Sequence, residues 1–406
     1  MRVLLLTPAL PYPPHQGGAL RNYGILRGLR DAGHQVSLFS FHDGGHSLDT
    51  TPLPSLCDHV ITVTPPQRTP AKRLRDLIFS GHPDLARRLE TQASRDQLAG
   101  LLSANRYDLI QFEGLEMAIY LPFVRQQQPN AKLVYDAHNA EYALQRVIAR
   151  VETQNRSRLA SALYSQIQAR RIASFEKKIV AQADGVIAVS DEDAAALRPF
   201  RPDGKIHVLP NGIFVDEYVH PPQKRLALSD HALVFTGKMD YRPNVDAMLW
   251  FSENILPLIH ESIADARLYI VGQKPHASLE PLRAREDIEL TGWVAEIQPF
   301  LHAASLYVAP LRMGSGTRLK ILEAMAAGCT VVATSIAIAG LRDEARQQIT
   351  VADSERAFAD AVIRLCSDPA QRARRGIEAR AAVSQYYDWS ALMPCLLDIY
   401  KDFGVG

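Results

Sequence analysis

The sequence predicts an α/β protein built as two halves, each a parallel β-sheet covered on both faces by helices. Three observations carry this. Short runs of consecutive apolar residues alternate with helix-length segments along the whole chain, and a strand apolar at nearly every position is one buried on both faces. The alternation stops after residue 212 in an irregular, proline-bearing stretch and restarts near residue 230. The length, 406 residues, is long for one core and suits two domains of ordinary size.

In chain order, "RVLLL", "QVSLFSF", "HVITV", "DLIQF", "KLVYD" and "GVIAVS" read as strands of the first half, and "KIHVLPNG" closes it. After the linker, "ALVFTG", "ARLYIVG", "IELTGW", "LYVAP" and "TVVAT" read as strands of the second half. The domains are therefore expected at 1–212 and 213–385. The tail "SQYYDWSALMPCLLDIYKDFG" reads as one amphipathic helix.

Composition narrows the function classes. The chain is 47% apolar and 22% charged, as soluble globular proteins are, and its net charge of +1 gives no electrostatic case for nucleic acid. Four cysteines lie far apart, with no C-x-x-C pair and no His/Cys cluster at metal spacing. They read as reduced thiols of a cytoplasmic protein without a bound metal. The opening apolar run, Val3 to Leu6, is too short for a secretion signal and suits a buried strand. Charge is uneven. Residues 68–88 hold six Lys/Arg against two Asp, and 141–180 hold eight against three Glu. Lys72, Arg73, Arg75 and Arg87, interleaved with Leu74, Leu77, Ile78 and Phe79, form either an ordinary solvated basic face or a helix resting on anionic headgroups at the inner face of a membrane.

The most informative stretch is "PLRMGSGTRLKILEAMAAG", residues 310–328. A buried strand precedes it, and Leu319, Leu322, Met325 and Ala326 follow at helical spacing, with Gly328 at the stop. Gly314, Ser315, Gly316 and Thr317 thus open a helix N-terminus, where unpaired N–H groups and the dipole attract anions. Arg318 and Lys320 add charge. Glu323 lies roughly 9 Å along the axis from Thr317 at ~1.5 Å per residue, far enough to reach a ribose while the loop holds a diphosphate. A structural strand–turn–helix with solvated cations is the bland alternative. There is no Walker loop, and the loop after the first strand lacks G-x-G-x-x-G, which argues against a dehydrogenase. That loop carries Gly17 and Gly18 instead, suited either to a tight turn or to close backbone approach of a ligand. "VFTGKMDYRPN" presents Gly237, Lys238 and Arg242 at another strand's C-terminal end, and convergence of the two cation-bearing loops would suit a leaving diphosphate. His138, in "DAHN", follows a strand at the corresponding edge of the first half.

Together these motifs resemble the nucleotide-sugar glycosyltransferases of the GT-B fold, and specifically glycosyltransferase family 4. The resemblance spans nearly the whole chain and rests on the Gly17-Gly18 loop, "DAHN", "VLPNGIFVDEY", "TGKMDYRPN", "GSGTRLKILEAMAAG" and "YDWS". It implies two Rossmann-like doubly wound domains facing across a cleft, with a C-terminal helix (386–406) crossing back to the first. It also implies retaining transfer of a sugar from a nucleoside-diphosphate sugar, without metal or other cofactor, to a glycan or lipid-linked acceptor on the first domain. By the same resemblance Glu323 holds the ribose hydroxyls and Lys238 the diphosphate, aided by Arg242, Arg318, Lys320 and the backbone of 314–318. Gly17 and Gly18 admit the donor, and His138 hydrogen-bonds the donor sugar and helps stabilise positive character at its anomeric carbon. The family commonly has a glutamate eight positions before the ribose-binding one, where this chain has Ser315. That departure keeps a non-catalytic nucleotide-sugar-binding protein as an alternative reading, beside a nucleotide-sugar epimerase on the same fold.

Overall fold

The computed structural model describes residues 1–14, 17–45, 47–146, 159–202, 204–221, 226–313 and 319–405. The chain divides into two compact units, 1–211 with 392–406, and 212–391.

The first unit holds seven strands, β1 (Arg2–Thr7), β2 (Gln35–Phe41), β3 (His59–Val63), β4 (Leu109–Glu113), β5 (Lys132–Ala137), β6 (Gly185–Ala188) and β7 (His207–Val208), in the order β3-β2-β1-β4-β5-β6-β7. All pairs are parallel, with β1 between β2 and β4. The apolar runs become strands because their side chains are removed from water on both faces; Val3, Leu4, Leu5 and Leu6 are each 0% exposed. Burying each contributes roughly 1.5–3 kcal/mol. The second unit repeats the plan with β8 (Ala232–Thr236), β9 (Arg267–Val271), β10 (Ile288–Gly292), β11 (Leu306–Ala309), β12 (Val331–Ala333) and β13 (Thr350–Val351), ordered β10-β9-β8-β11-β12-β13 and again parallel throughout.

In both sheets the order reverses in mid-sheet, between β1 and β4 and between β8 and β11. At such a point successive connections leave for opposite faces, and the strands' carboxyl ends flank a crevice. The helices include α1 (Gly17–Asp31), α2 (Pro70–Phe79), α3 (Leu159–Gln182), α4 (Arg242–Trp250), α5 (Leu319–Ala326), α6 (Pro369–Tyr386) and α7 (Trp389–Asp402), of which α1, α4 and α5 start beside the switch points. α5 is amphipathic as expected, burying Ile321, Leu322, Met325 and the alanines, and it stops at Gly328, whose φ of +81° is the left-handed conformation a glycine C-cap supplies.

The tail departs from the single helix expected. α6 and α7 are separated at Tyr387–Asp388, because Ile213 N–H donates to the Tyr387 carbonyl (2.8 Å) and Trp389 N–H to the Ile213 carbonyl (3.1 Å). Asp388 accepts from the N–H groups of Val215 (2.9 Å) and Ser390 (2.8 Å), capping α7 while binding the chain just past residue 212. The same bonds hold residues up to Ala391 in the second unit, so the return to the first unit begins at Leu392 rather than at 386. Within the first unit α7 packs on α1, where a Cβ on Gly28 would meet Met393 Cε at 2.1 Å. No helix among the described residues is long and apolar enough to cross a membrane.

Candidate functional site

In the second unit the loops after β8 and β11 converge. Gly237, directly after β8, lies against two polar groups, since a Cβ there would stand 2.7 Å from both Asn244 Nδ2 and Lys320 Nζ. Lys320, in the first turn of α5, donates to Asn244 Oδ1 (2.7 Å) and sits 4.3 Å from the centroid of the Phe235 ring. Asn244, near the start of α4, donates in turn to the Lys238 carbonyl (2.8 Å). This chain of bonds joins the two helix starts across the topological switch point. A cavity of about 380 Å³ opens there, with Gly237, Lys238, Tyr241, Asn244, Leu311 and Lys320 in its lining. Its size is that of a small-molecule site.

Glu323 lies one helical turn beyond Lys320 and accepts a hydrogen bond from the buried Tyr218 hydroxyl (3.1 Å). Burial raises the Glu323 carboxyl above its ordinary range, opposed by the Tyr218 bond and the Lys320 charge. Burial and the adjacent Glu323 push the Tyr218 hydroxyl far up, so it remains a donor. Of the other residues expected here, Lys238 is exposed at the cavity, and Arg242 is exposed at the first position of α4, outside the described lining. Gly314, Ser315, Gly316, Thr317 and Arg318 lie outside the described residues.

In the first unit, the expected His138 and Gly18 meet at the corresponding switch point. A Cβ on Gly18 would lie 3.5 Å from His138 Nδ1, and one on Gly114 would lie 3.8 Å from it. Gly17 is the first residue of α1. His138 Nε2 is 3.0 Å from Oε2 of the fully buried Glu113. With its amide oriented to satisfy both neighbours, Asn22 donates to the Gly18 carbonyl (3.2 Å) and to Glu113 Oε2 (2.8 Å). Gln111 donates to Glu113 Oε1 (2.7 Å) and accepts from Tyr400 of α7 (2.6 Å). Beneath them Arg21, 1% exposed, makes two 2.8 Å bonds to Asp136 and donates to the Leu209 carbonyl (2.9 Å). A buried ion pair with its remaining donors satisfied is tolerated, and removing either partner leaves an uncompensated charge.

Burial works against a charged imidazole, yet the Glu113 hydrogen bond and charge, with Asp136 adding, leave His138 above its ordinary value. Burial and Asp136 likewise raise Glu113. The pair therefore retains a proton to higher pH than a free imidazole would. Glu113, Asp136 and His138 are the one group among the described residues whose ligand atoms lie within 4.8 Å of one another. Both Asp136 oxygens already accept from Arg21, and the Glu113 oxygens face Gln111 and His138. A cation placed there would meet the Arg21 guanidinium, so the donor set is that of a charge network.

Sequence reasoning missed Arg21, Glu113, Tyr218 and Asn244 as site residues. Tyr218 and Asn244 stand inside motifs singled out above, and Arg21 follows Gly18 by three residues. Glu113 ends a strand run, where a lone acid after apolar residues is a signal for a strand's carboxyl end and nothing more specific.

Residues 16–217 match the model of "Glycosyltransferase Family 4" and residues 230–368 that of "Glycosyl transferases group 1". An uncharacterized 44.6 kDa protein in the cps region of Klebsiella pneumoniae is 22% identical, over 95% of this chain and 96% of that one. A phosphatidyl-myo-inositol mannosyltransferase of Mycobacterium leprae is 30% identical over 48% of this chain. The match spans about half of that enzyme's length, 52%. Among solved structures, sucrose-phosphate synthase of Thermosynechococcus elongatus superposes with a TM-score of 0.69 at 18% identity, covering 100% of this chain and 99% of that one. Anabaena Alr3699/HepE in complex with UDP and glucose gives 0.62 at 15% identity, covering 99% of this chain and 100% of that one. The sheet orders and these structural neighbours show the GT-B fold, and the two family models, which together cover 16–217 and 230–368, make the chain a glycosyltransferase. The chain belongs to glycosyltransferase family 4.

Proposed function

We propose that the protein transfers a hexosyl-type sugar, with retention of anomeric configuration and without a metal, from a nucleoside-diphosphate sugar to a glycan or lipid-linked acceptor in cell-surface polysaccharide or glycoconjugate synthesis. The observation that carries this is the meeting of Gly237, Lys238, Asn244 and Lys320 around one cavity, with Glu323 a turn further along α5. Lys238 and Lys320 neutralise the diphosphate as it leaves, and Glu323 accepts from the ribose hydroxyls. With cations in those places, leaving-group charge is stabilised by preorganised groups rather than by a divalent ion. His138, carrying a proton, donates a hydrogen bond to the donor sugar, and with Glu113 it forms a pair of no net charge next to the developing positive centre.

The first unit is the acceptor side. Arg73, Arg75 and Phe79 of α2 are exposed, Phe79 83% so, which suits an acceptor presented at an anionic, cytoplasm-facing membrane surface. The name of one relative, a phosphatidyl-myo-inositol mannosyltransferase, supports a lipid acceptor.

The test is a thermal-shift screen against UDP, GDP, ADP and their sugar conjugates, with and without EDTA, followed by transfer assays with the nucleotide that binds. A shift with one nucleotide, unaltered by EDTA, and transfer with retained anomeric configuration are expected. A shift abolished by EDTA would overturn metal independence. Binding with neither transfer nor hydrolysis would replace the transferase with the non-catalytic reading, and isomerised nucleotide sugar without acceptor would replace it with an epimerase.

A further inference from the structure

We infer that Glu113 is the positioning residue of His138: it takes the Nε2–H, fixes the ring's orientation and turns Nδ1 toward the ligand, where an Nδ1–H serves as donor. The inference rests on the transferase reading for what the donor meets, and on the first unit's geometry for everything else.

Three features of that geometry converge. The Glu113 carboxylate is fully buried and 3.0 Å from Nε2, so the ring's orientation is fixed from its inner side. Its oxygens are themselves held, one by Gln111 and the other by Asn22, and Gln111 is held by Tyr400 from the far end of the chain. On the other side Nδ1 faces Gly18 and Gly114, two residues without side chains, with Gly114 at a φ of +78°. A carboxylate that binds one imidazole nitrogen selects which nitrogen serves the reaction and raises the ring's basicity. Here the selected nitrogen lies beside the first turn of α1, so its N–H and the helix's positive end both favour an electron-rich oxygen of a donor substrate.

The charged groups around the ring do not act alike. Glu113 from β4 and Asp136 from β5 favour the charged ring, while Arg21 from α1 and the α1 N-terminus oppose it. Glu116 after β4 and Glu141 after β5 lie near the same edge; Glu116 Oε2 is 2.8 Å from a Cβ built on Gly114, and Glu141 feels the charges of both Glu116 and His138. The Tyr400 hydroxyl acts through Gln111. Among the described residues Glu113 is the one group that hydrogen-bonds the ring, and through that bond it sets both tautomer and orientation.

The experiment is a pH titration of the full chain, selectively labelled with 15N-histidine, in which the His138 resonances are those missing from His138→Gln. In the wild-type protein the ring is expected to titrate above an ordinary histidine and, once neutral, to keep its proton on Nε2. Glu113→Gln, of the same shape, is expected to lower the His138 pKa by about one pH unit or more, a tenfold loss of proton affinity. Glu116→Gln is expected to move it less. An unchanged titration in folded Glu113→Gln, an equal shift in Glu116→Gln, or a neutral wild-type ring protonated on Nδ1 would each overturn the inference. If Glu113→Gln does not fold, the wild-type tautomer decides alone. In transfer assays the rate is expected to fall as pH rises through the His138 pKa, and Glu113→Gln to move that fall to lower pH. Failure of the wild-type protein to transfer sugar would retire the function proposed above and leave the resonances to judge Glu113.

Discussion

At the scale of single residues, the Tyr218–Glu323 bond separates what Glu323 does for the fold from what it does for a nucleotide. Among the described residues a neutral donor, the Tyr218 hydroxyl, holds Glu323, and ribose hydroxyls would add others to the same carboxylate. A hydrogen bond to a charged group contributes about 1.5–3 kcal/mol, and one between neutral groups about half that or less. Glu323→Ala should therefore weaken nucleotide affinity by about 1–3 kcal/mol, and Tyr218→Phe, which only loosens the carboxylate, by less than about 1.5 kcal/mol. Calorimetric titration with the nucleotide found in the screen ranks the two variants. Equal losses would mean that Tyr218, not the ribose, is the partner Glu323 serves. Glu323 was legible in the sequence because it sits in a motif with a fixed offset from a helix start. Tyr218 was not, since its partner is 105 positions away and only the fold brings them together.

At the scale of elements, the strands were the most legible part. A run such as "RVLLL" has no polar face to turn outward, and burial on both sides is the only arrangement that suits it. The two-residue strands β7 and β13 escaped because they are too short to show a pattern. The tail misled for a different reason. Its apolar spacing is helical on both sides of Tyr387–Asp388, and the break is imposed by backbone bonds to Ile213, which periodicity does not register. The start of α1 offers a test of element geometry. Gly18 is helical and exposed, and a methyl there would lie in ordinary contact, 3.5 Å from His138 Nδ1, without displacing protein atoms. Gly18→Ala should leave the thermal midpoint unchanged or slightly raised, since alanine is the better helix residue. It should also cut sugar transfer by about tenfold or more, the cost of displacing reacting groups by a fraction of an ångström to an ångström. A variant with normal turnover would show that nothing needs the space beside Nδ1, and Gly18 would then be only a turn residue.

At the scale of the whole molecule, two units with separate sheets are expected to unfold as separate transitions, and the sequence supplies the means to tell them apart. All three tryptophans, Trp250, Trp293 and Trp389, lie in the second unit, so their fluorescence follows it alone, whereas circular dichroism follows both. The first unit carries a buried acid outside the candidate site. Glu176 of α3, 0% exposed, accepts from Tyr135 Oη (3.1 Å) and from the N–H groups of Glu141 (3.1 Å) and Tyr142 (2.8 Å). Burial nonetheless outweighs these donors and raises its carboxyl from 4.5 to about 7. With the folded value above the unfolded one, the folded state binds more protons between those limits, so this group's contribution declines as pH rises from about 4.5 to about 7. Glu176→Gln cannot titrate, and its fixed difference in hydrogen bonding does not change with pH. Between pH 4.5 and 8 the wild-type first unit should therefore lose about 1–3 kcal/mol relative to the variant. Urea unfolding at several pH values measures this as the dichroism transition not seen by tryptophan, with the tryptophan transition as the internal reference. A gap independent of pH would mean that Glu176 stays ionised in the fold and that its three donors outweigh its burial. A gap that widens in both transitions would mean that the units unfold as one.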